Sequence, residues 1–131
     1  LQSPAGVSAK QVVLVGIGAP SDWKALTANR SAGAALKALS SKSREIVRLV
    51  GFSGSGEIER AAVTGAMTGC VGQDLFKKEK ALFQPETLEW HGLQEENIRK
   101  GFAIGESVNL TRKLVNLPPN YLYPESFAEA A

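Results

Sequence analysis

Cysteine occurs once in the 131 residues, at Cys70, histidine once, at His91, and aspartate twice, at Asp22 and Asp74. A single cysteine excludes any disulfide within the chain and suits a reducing compartment. On a glycine-rich helix it reads as packing rather than as a nucleophile, and His91, beside Trp90, belongs to no recognisable catalytic pair. Hard divalent ions need clustered carboxylates; the two aspartates lie in separate segments and the glutamates are scattered over helix faces. Aromatic residues make up 7% of the chain, too few for a platform on which nucleic-acid bases stack. Fifteen basic against 13 acidic side chains, a net charge of +2, leave no one-signed footprint for nucleic acid or an anionic membrane. No apolar run approaches the ~20 residues of a membrane-spanning helix. The opening Leu1-Gln2-Ser3-Pro4 lacks the basic and apolar regions of a signal peptide, so a cytoplasmic setting is expected. Ser3-Pro4-Ala5-Gly6 reads as a turn that follows an element, and the true N-terminus is expected upstream.

What is present reads as one globular domain, 44% apolar and 21% charged. Val12–Ile17 is an unbroken β-branched run closed by glycines, as expected of a strand buried on both faces of an α/β sheet. Ser21 or Asp22 can cap the helix that follows, in which Trp23, Leu26, Ala28, Ala32, Ala35, Leu36 and Leu39 recur at helical spacing. Ile46–Val50 predicts a second strand, Gly51–Gly56 a turn, and Glu57–Gly72 a second helix with Glu57 and Glu59 at its positive end. Gly65 and Gly69 share one face of that helix and permit close backbone packing. After a broken stretch from Gln73 to Pro85, Glu86–Trp90 predicts a short edge strand. From Leu93 to Asn116 the apolar residues Ile98, Phe102, Ile104, Val108, Leu110, Leu114 and Val115 alternate with charges, acids first and bases last. Pro118-Pro119 ends this helix, which would be roughly 35 Å long, a length that suits a strut between domains. Pro124 stands at the first turn of a further helix.

Two glycine loops invite a ligand. Gly51-Phe52-Ser53-Gly54-Ser55-Gly56 has P-loop spacing, but Glu57-Ile58 stand where Lys and Ser or Thr are needed, and a carboxylate there repels phosphate. Gly16-Ile17-Gly18-Ala19-Pro20-Ser21 has two of the three dinucleotide glycines, with Ser21 in place of the third. Lys77, Lys78 and Lys80 surround Glu79 and read as a solvated loop. Asn29-Arg30-Ser31 and Asn109-Leu110-Thr111 match the glycosylation pattern but fall on predicted helices. The residues themselves therefore point to an α/β domain with no catalytic, cofactor-binding or metal site, leaving a nucleotide- or phosphate-binding module as the alternative.

The segment GESVNLTRKLVNLPPNYLYPESFAEAA resembles the part of the M17 leucyl aminopeptidases, or cytosol aminopeptidases, that joins their N-terminal and catalytic domains. Gly105, Asn109, Leu110, Arg112, Leu114, Asn116, Pro118, Asn120 and Pro124 fall in register with the family pattern, and Thr111 takes the usual alanine place. Val12–Gly18, Ala32–Leu39 and Gly65–Gly69 resemble the later part of the N-terminal domain, whereas Gly69–Lys77 departs from the aromatic and arginine-rich run of relatives. The resemblance implies a partial macro-domain-like three-layer α/β/α N-terminal domain over residues 1–92, an interdomain connecting helix over 93–117, and the beginning of a catalytic domain over 118–131. It implies a parent that releases N-terminal amino acids from peptides with two divalent metals (zinc, manganese or magnesium) and assembles as a homohexamer. The family's N-T-D-A-E-G-R metal-binding motif does not occur in this chain, so none of its roles carries over and the fragment itself is expected to be inactive. Its expected role is to position its own catalytic domain or to support assembly, without nucleic acid or membrane as a partner.

Overall fold

Ile46-Val47-Arg48-Leu49-Val50 is a branched apolar run with one charge at its centre, and it forms the strand β1 (Ile46–Val50) with alternate residues buried. The computed structural model describes residues 5–6, 8–72, 74 and 77–130. Before β1 comes helix α1 (Ala25–Leu39); after it come α2 (Gly56–Gly69), strand β2 (Thr87–His91), the long helix α3 (Glu95–Val115) and α4 (Pro124–Ala130). The result is a mixed α/β domain with four helices and a two-stranded parallel sheet among the described residues.

β1 and β2 pair in parallel from Ile46↔Thr87 to Val50↔His91, joined by a crossover that contains α2. Val47 and Leu49 face the core, with Leu36, Ala62, Ala66 and Cys70 of the helical side. The other face of β1 leaves Ile46 and Val50 exposed, the latter by 71%, and carries the cross-strand ion pair of Arg48 with Glu89. At one end of the sheet Phe52 sits between Trp23 and Trp90, each ring centroid 6.0 Å from its own. The Trp23 indole also donates to the Ser53 carbonyl at 3.2 Å, tying the approach to α1 onto the loop after β1.

Among the described residues the Val12–Ile17 run forms no strand: Gln11 makes a single bridge and residues 12–17 carry no strand assignment. Leu14 is 82% exposed, so the run is not buried on two faces. β propensity records how well side chains fit a pleated, half-covered surface, and it cannot replace a neighbouring edge that pairs residue after residue. Val15 alone of the run packs against the core cluster. Neither Ser21 nor Asp22 caps α1 with its side chain, because Pro20–Asp22 winds into a short 3-10 turn and Lys24 becomes the residue before the helix. Proline at the start of such a turn presets its φ. Leu26, placed among the apolar repeats, is exposed; the buried stripe runs through Ala28, Ser31, Ala32, Ala35 and Leu36.

The helices meet through glycine. A Cβ on Gly65 would run into the Asn29 carbonyl of α1, and one on Gly69 into the Gly33 carbonyl. On the other side a Cβ on Gly101 would stand 2.7 Å from the Arg60 carbonyl and 2.7 Å from Val63 Cβ, and one on Gly105 would stand 2.6 Å from Met67 Cβ. α2 is thus in near backbone contact with both α1 and α3, and the inner face of α3 is carried by α2 along much of its length.

Candidate functional site

Where α2 begins, the Ser55 hydroxyl accepts the Ile58 N–H at 3.4 Å and caps the helix. One turn on, Glu59 is only 4% exposed, which requires its charge to be satisfied locally. Its Oε2 accepts Asn97 Nδ2 at 2.8 Å and the Gln94 N–H at 3.1 Å. Arg60 Nη1 donates to Asn97 Oδ1 at 2.9 Å, so Asn97 is held from both sides. The Asn97 amide, then the Gln94 N–H, hold the Glu59 carboxyl below the usual carboxylate range; burial opposes them, while Gly54 N–H and nearby Arg60 assist. Gln94 immediately precedes α3, so the carboxylate at the start of one helix also organises the start of the next.

The opposite end of α2 is held by α3. Asn109 Nδ2 donates to the Met67 carbonyl at 3.0 Å, and Arg112 Nη1 donates to the Thr68 carbonyl at 2.9 Å. Arg112 Nη2 reaches the Val71 carbonyl at 3.4 Å, and Asn109 Oδ1 accepts from Arg112 Nη1 at 3.2 Å. Met67 and Thr68 are among the last residues of α2, whose carbonyls have no partner within their own helix. A guanidinium there also complements the negative end of the helix dipole. Glu59–Asn97 at one end, Asn109–Arg112 at the other, and Gly101 and Gly105 between them make one continuous α2–α3 joint.

The residues weighed from sequence are dispersed around this joint. In the Gly51–Gly56 loop Gly51 has φ +87°, the Ser55 hydroxyl is taken by the Ile58 N–H, and the Gly54 N–H lies near the Glu59 carboxylate, which would repel a phosphate there. Gly18, with φ +81°, leads into the 3-10 turn rather than closing a strand. Cys70 is buried with Sγ 3.4 Å from the Met67 carbonyl, and burial pushes its thiol pKa up, away from a reactive thiolate. His91 ends β2 at an exposed position. Lys77 lies 3.6 Å from Asp74, whose carboxylate accepts the Ala81 N–H at 2.7 Å. Asn29, the first asparagine in a glycosylation pattern, donates to the Ala61 carbonyl at 3.0 Å, and Asn109, the second, is used in the joint. Among the described residues, no group of three or more His, Cys, Asp and Glu side chains could hold a metal ion. The sequence places Glu59 near the helix dipole but gives no sign of its burial or of its Asn97 partner. The available signal was a stripe of Asn97, Gly101, Gly105, Asn109 and Arg112, small or polar at helical spacing where an apolar seam would be normal.

The sequence profile described as "Cytosol aminopeptidase family, N-terminal domain" matches residues 1–80. The chain belongs to the cytosol aminopeptidase family. It is 36% identical to a probable cytosol aminopeptidase of Rhodopirellula baltica over 92% of its own length and 24% of the relative's. A probable cytosol aminopeptidase of Solibacter usitatus is also 36% identical, over 96% of this chain and 27% of the relative. The chain therefore spans about a quarter of the length of these family members. Among solved structures, the bottromycin maturation enzyme BotP in complex with Mn superposes with a TM-score of 0.74 at 25% identity, over 88% of this chain and 25% of BotP. These family alignments cover more than residues 1–80, so α3 and the joint fall within the similarity to the two relatives. No helix among the described residues is long and apolar enough to cross a membrane.

Proposed function

We propose that the chain is the supporting N-terminal part of a larger metal-dependent aminopeptidase that releases N-terminal amino acids from peptides. The observation that carries this reading is similarity along nearly the whole chain to probable cytosol aminopeptidases about four times as long. In this reading residues 1–92 belong to an N-terminal domain that is macro-domain-like and three-layered when complete. Residues 93–117 connect it to the catalytic domain, and 118–131 begin that domain. The two divalent metals, zinc, manganese or magnesium, and the groups that bind them belong to the catalytic domain. The work of this segment is positional: the α2–α3 joint gives the connecting helix a fixed direction, so whatever follows is presented at a defined angle. A cytoplasmic homohexamer of the full-length protein is part of the same proposal. Leucine-amide hydrolysis in the presence of manganese or zinc tests it. The full-length protein is expected to turn over, and purified residues 1–131 are expected to show no rate above buffer; enzymatic turnover by 1–131 would overturn the assignment.

A further inference from the structure

α1 and α3 both pack on α2, and a groove of about 560 Å³ runs between them with α2 as its floor. Arg30 and Lys37 of α1 and Arg112 of α3 line it, and no acidic side chain does. Arg30 and Lys37 are exposed and make no ion pair among the described residues. On the floor, Thr64 Oγ1 lies 2.9 Å from the Arg60 carbonyl and Thr68 Oγ1 lies 3.0 Å from the Thr64 carbonyl. Thr64 Oγ1 also lies 3.1 Å from the Gly101 carbonyl of α3, so both hydroxyls are engaged by backbone carbonyls of the domain. The surface continues along one face of α3 past Ile104, through Val108 and Arg112, which also line the groove. Ile104 and Val108 are 48% and 40% exposed, and a spacing of four residues makes them neighbours on one helix face. An apolar seam with a cationic edge on the α1 side is the complement of an amphipathic helix with an acidic flank.

We infer that this groove seats an acidic amphipathic helix from the remaining part of the full-length polypeptide, an inference that rests on the function proposed above. Two observations select that occupant. The matched relatives are about four times the length of this chain, so most of such a polypeptide lies outside these residues. The groove also ends at Arg112, one turn from the C-terminal end of α3, and any other segment of the same polypeptide meets it as an intramolecular partner. Two exposed cations, Arg30 and Lys37, beside a largely apolar floor suit a helix better than a nucleic-acid backbone, which demands a longer basic track.

Acylation of Lys37 by an amine-reactive ester, followed by mass spectrometry, tests the inference on the full-length enzyme and on residues 1–131. Lys37 is expected to react about tenfold more slowly in the full-length enzyme, as for a site covered roughly nine-tenths of the time. Val108→Glu and Arg30→Glu, each introducing a carboxylate against an acidic occupant, should restore the fast rate in the full-length enzyme. Circular dichroism of the same variants in 1–131 checks that the fold is intact. Equal Lys37 rates in the two wild-type proteins would overturn the inference. So would protection that vanishes on dilution to monomer, which assigns the groove to a second copy, or protection that needs added DNA. Leucine-amide turnover by the same preparation keeps the two failures apart: an active enzyme with unprotected Lys37 removes the groove assignment and leaves the proposed function standing.

Discussion

At the start of α2 the nearly buried Glu59 carboxylate accepts hydrogen bonds from Asn97 and Gln94. Glu59→Ala leaves both donors without their acceptor, and a cost of about 2–3 kcal/mol is expected in urea unfolding of residues 1–131. The pH dependence has a definite sign. Because the folded carboxyl has a lowered pKa, the unfolded chain takes up the proton first, so Glu59 contributes stability that is complete above the ordinary carboxylate pKa. That contribution is lost as the pH falls from there through the folded value. Glu59→Gln should therefore flatten the acid limb of stability against pH; an unchanged limb would show that Glu59 does not contribute to it. Gly65→Ala sets two effects against each other. Alanine gains about 1 kcal/mol of helix propensity, while overpacking commonly costs 1–3 kcal/mol or more. The obstructing atoms here belong to the Asn29 backbone and cannot rotate away, so the clash should dominate and the melting temperature should fall. Gly65 and Gly69 were legible from sequence because their spacing puts them on one face. Glu59 was not, since an acidic residue in a first helical turn already has a sufficient explanation in the dipole, and nothing local announces that Asn97, 38 residues away, will reach it.

Elements with a strong period were readable almost to their ends. β1 matches its expected bounds, the edge strand lies one residue later than expected, and α3 runs from Glu95 to Val115 against an expected 93–116. Val12–Ile17 failed because strand formation depends on a partner edge, which is a property of the sheet rather than of the run. The apolar repeat of α3 correctly announced a helix but misplaced its face. Phe102, Ile104, Val108, Leu110 and Val115 are exposed, whereas the contact with α2 is made by Asn97, Gly101 and Gly105. Close helix packing selects the residues with least side chain, and burial follows proximity rather than hydrophobicity. The far end of that contact depends on Arg112. Arg112→Ala should cost about 1–2 kcal/mol, and hydrogen exchange should quicken in residues 110–116 while the amides of 97–104 keep their protection. Uniform acceleration along α3 would mean that the helix is held as one unit rather than at its ends.

For the molecule as a whole, the joint makes α1, α2 and α3 a single stack, with the sheet on one flank and the start of α4 beyond Pro118-Pro119. With the Ser55 hydroxyl engaged as the α2 cap and the Glu59 carboxylate beside Gly54, ADP-ribose, NAD and ATP should not raise the melting temperature of 1–131. A ligand at 100 times its dissociation constant would add ~2.7 kcal/mol, a shift too large to miss. Both tryptophans of the chain, Trp23 and Trp90, flank Phe52 beside the sheet, and α3 carries none. Nature has thereby divided the optical signals: indole emission reports the sheet end, while far-ultraviolet ellipticity is weighted towards the helices. Melting followed in both colours would coincide if the stack and sheet unfold together, and would separate if α3 peels from α2 while the indoles stay packed on Phe52.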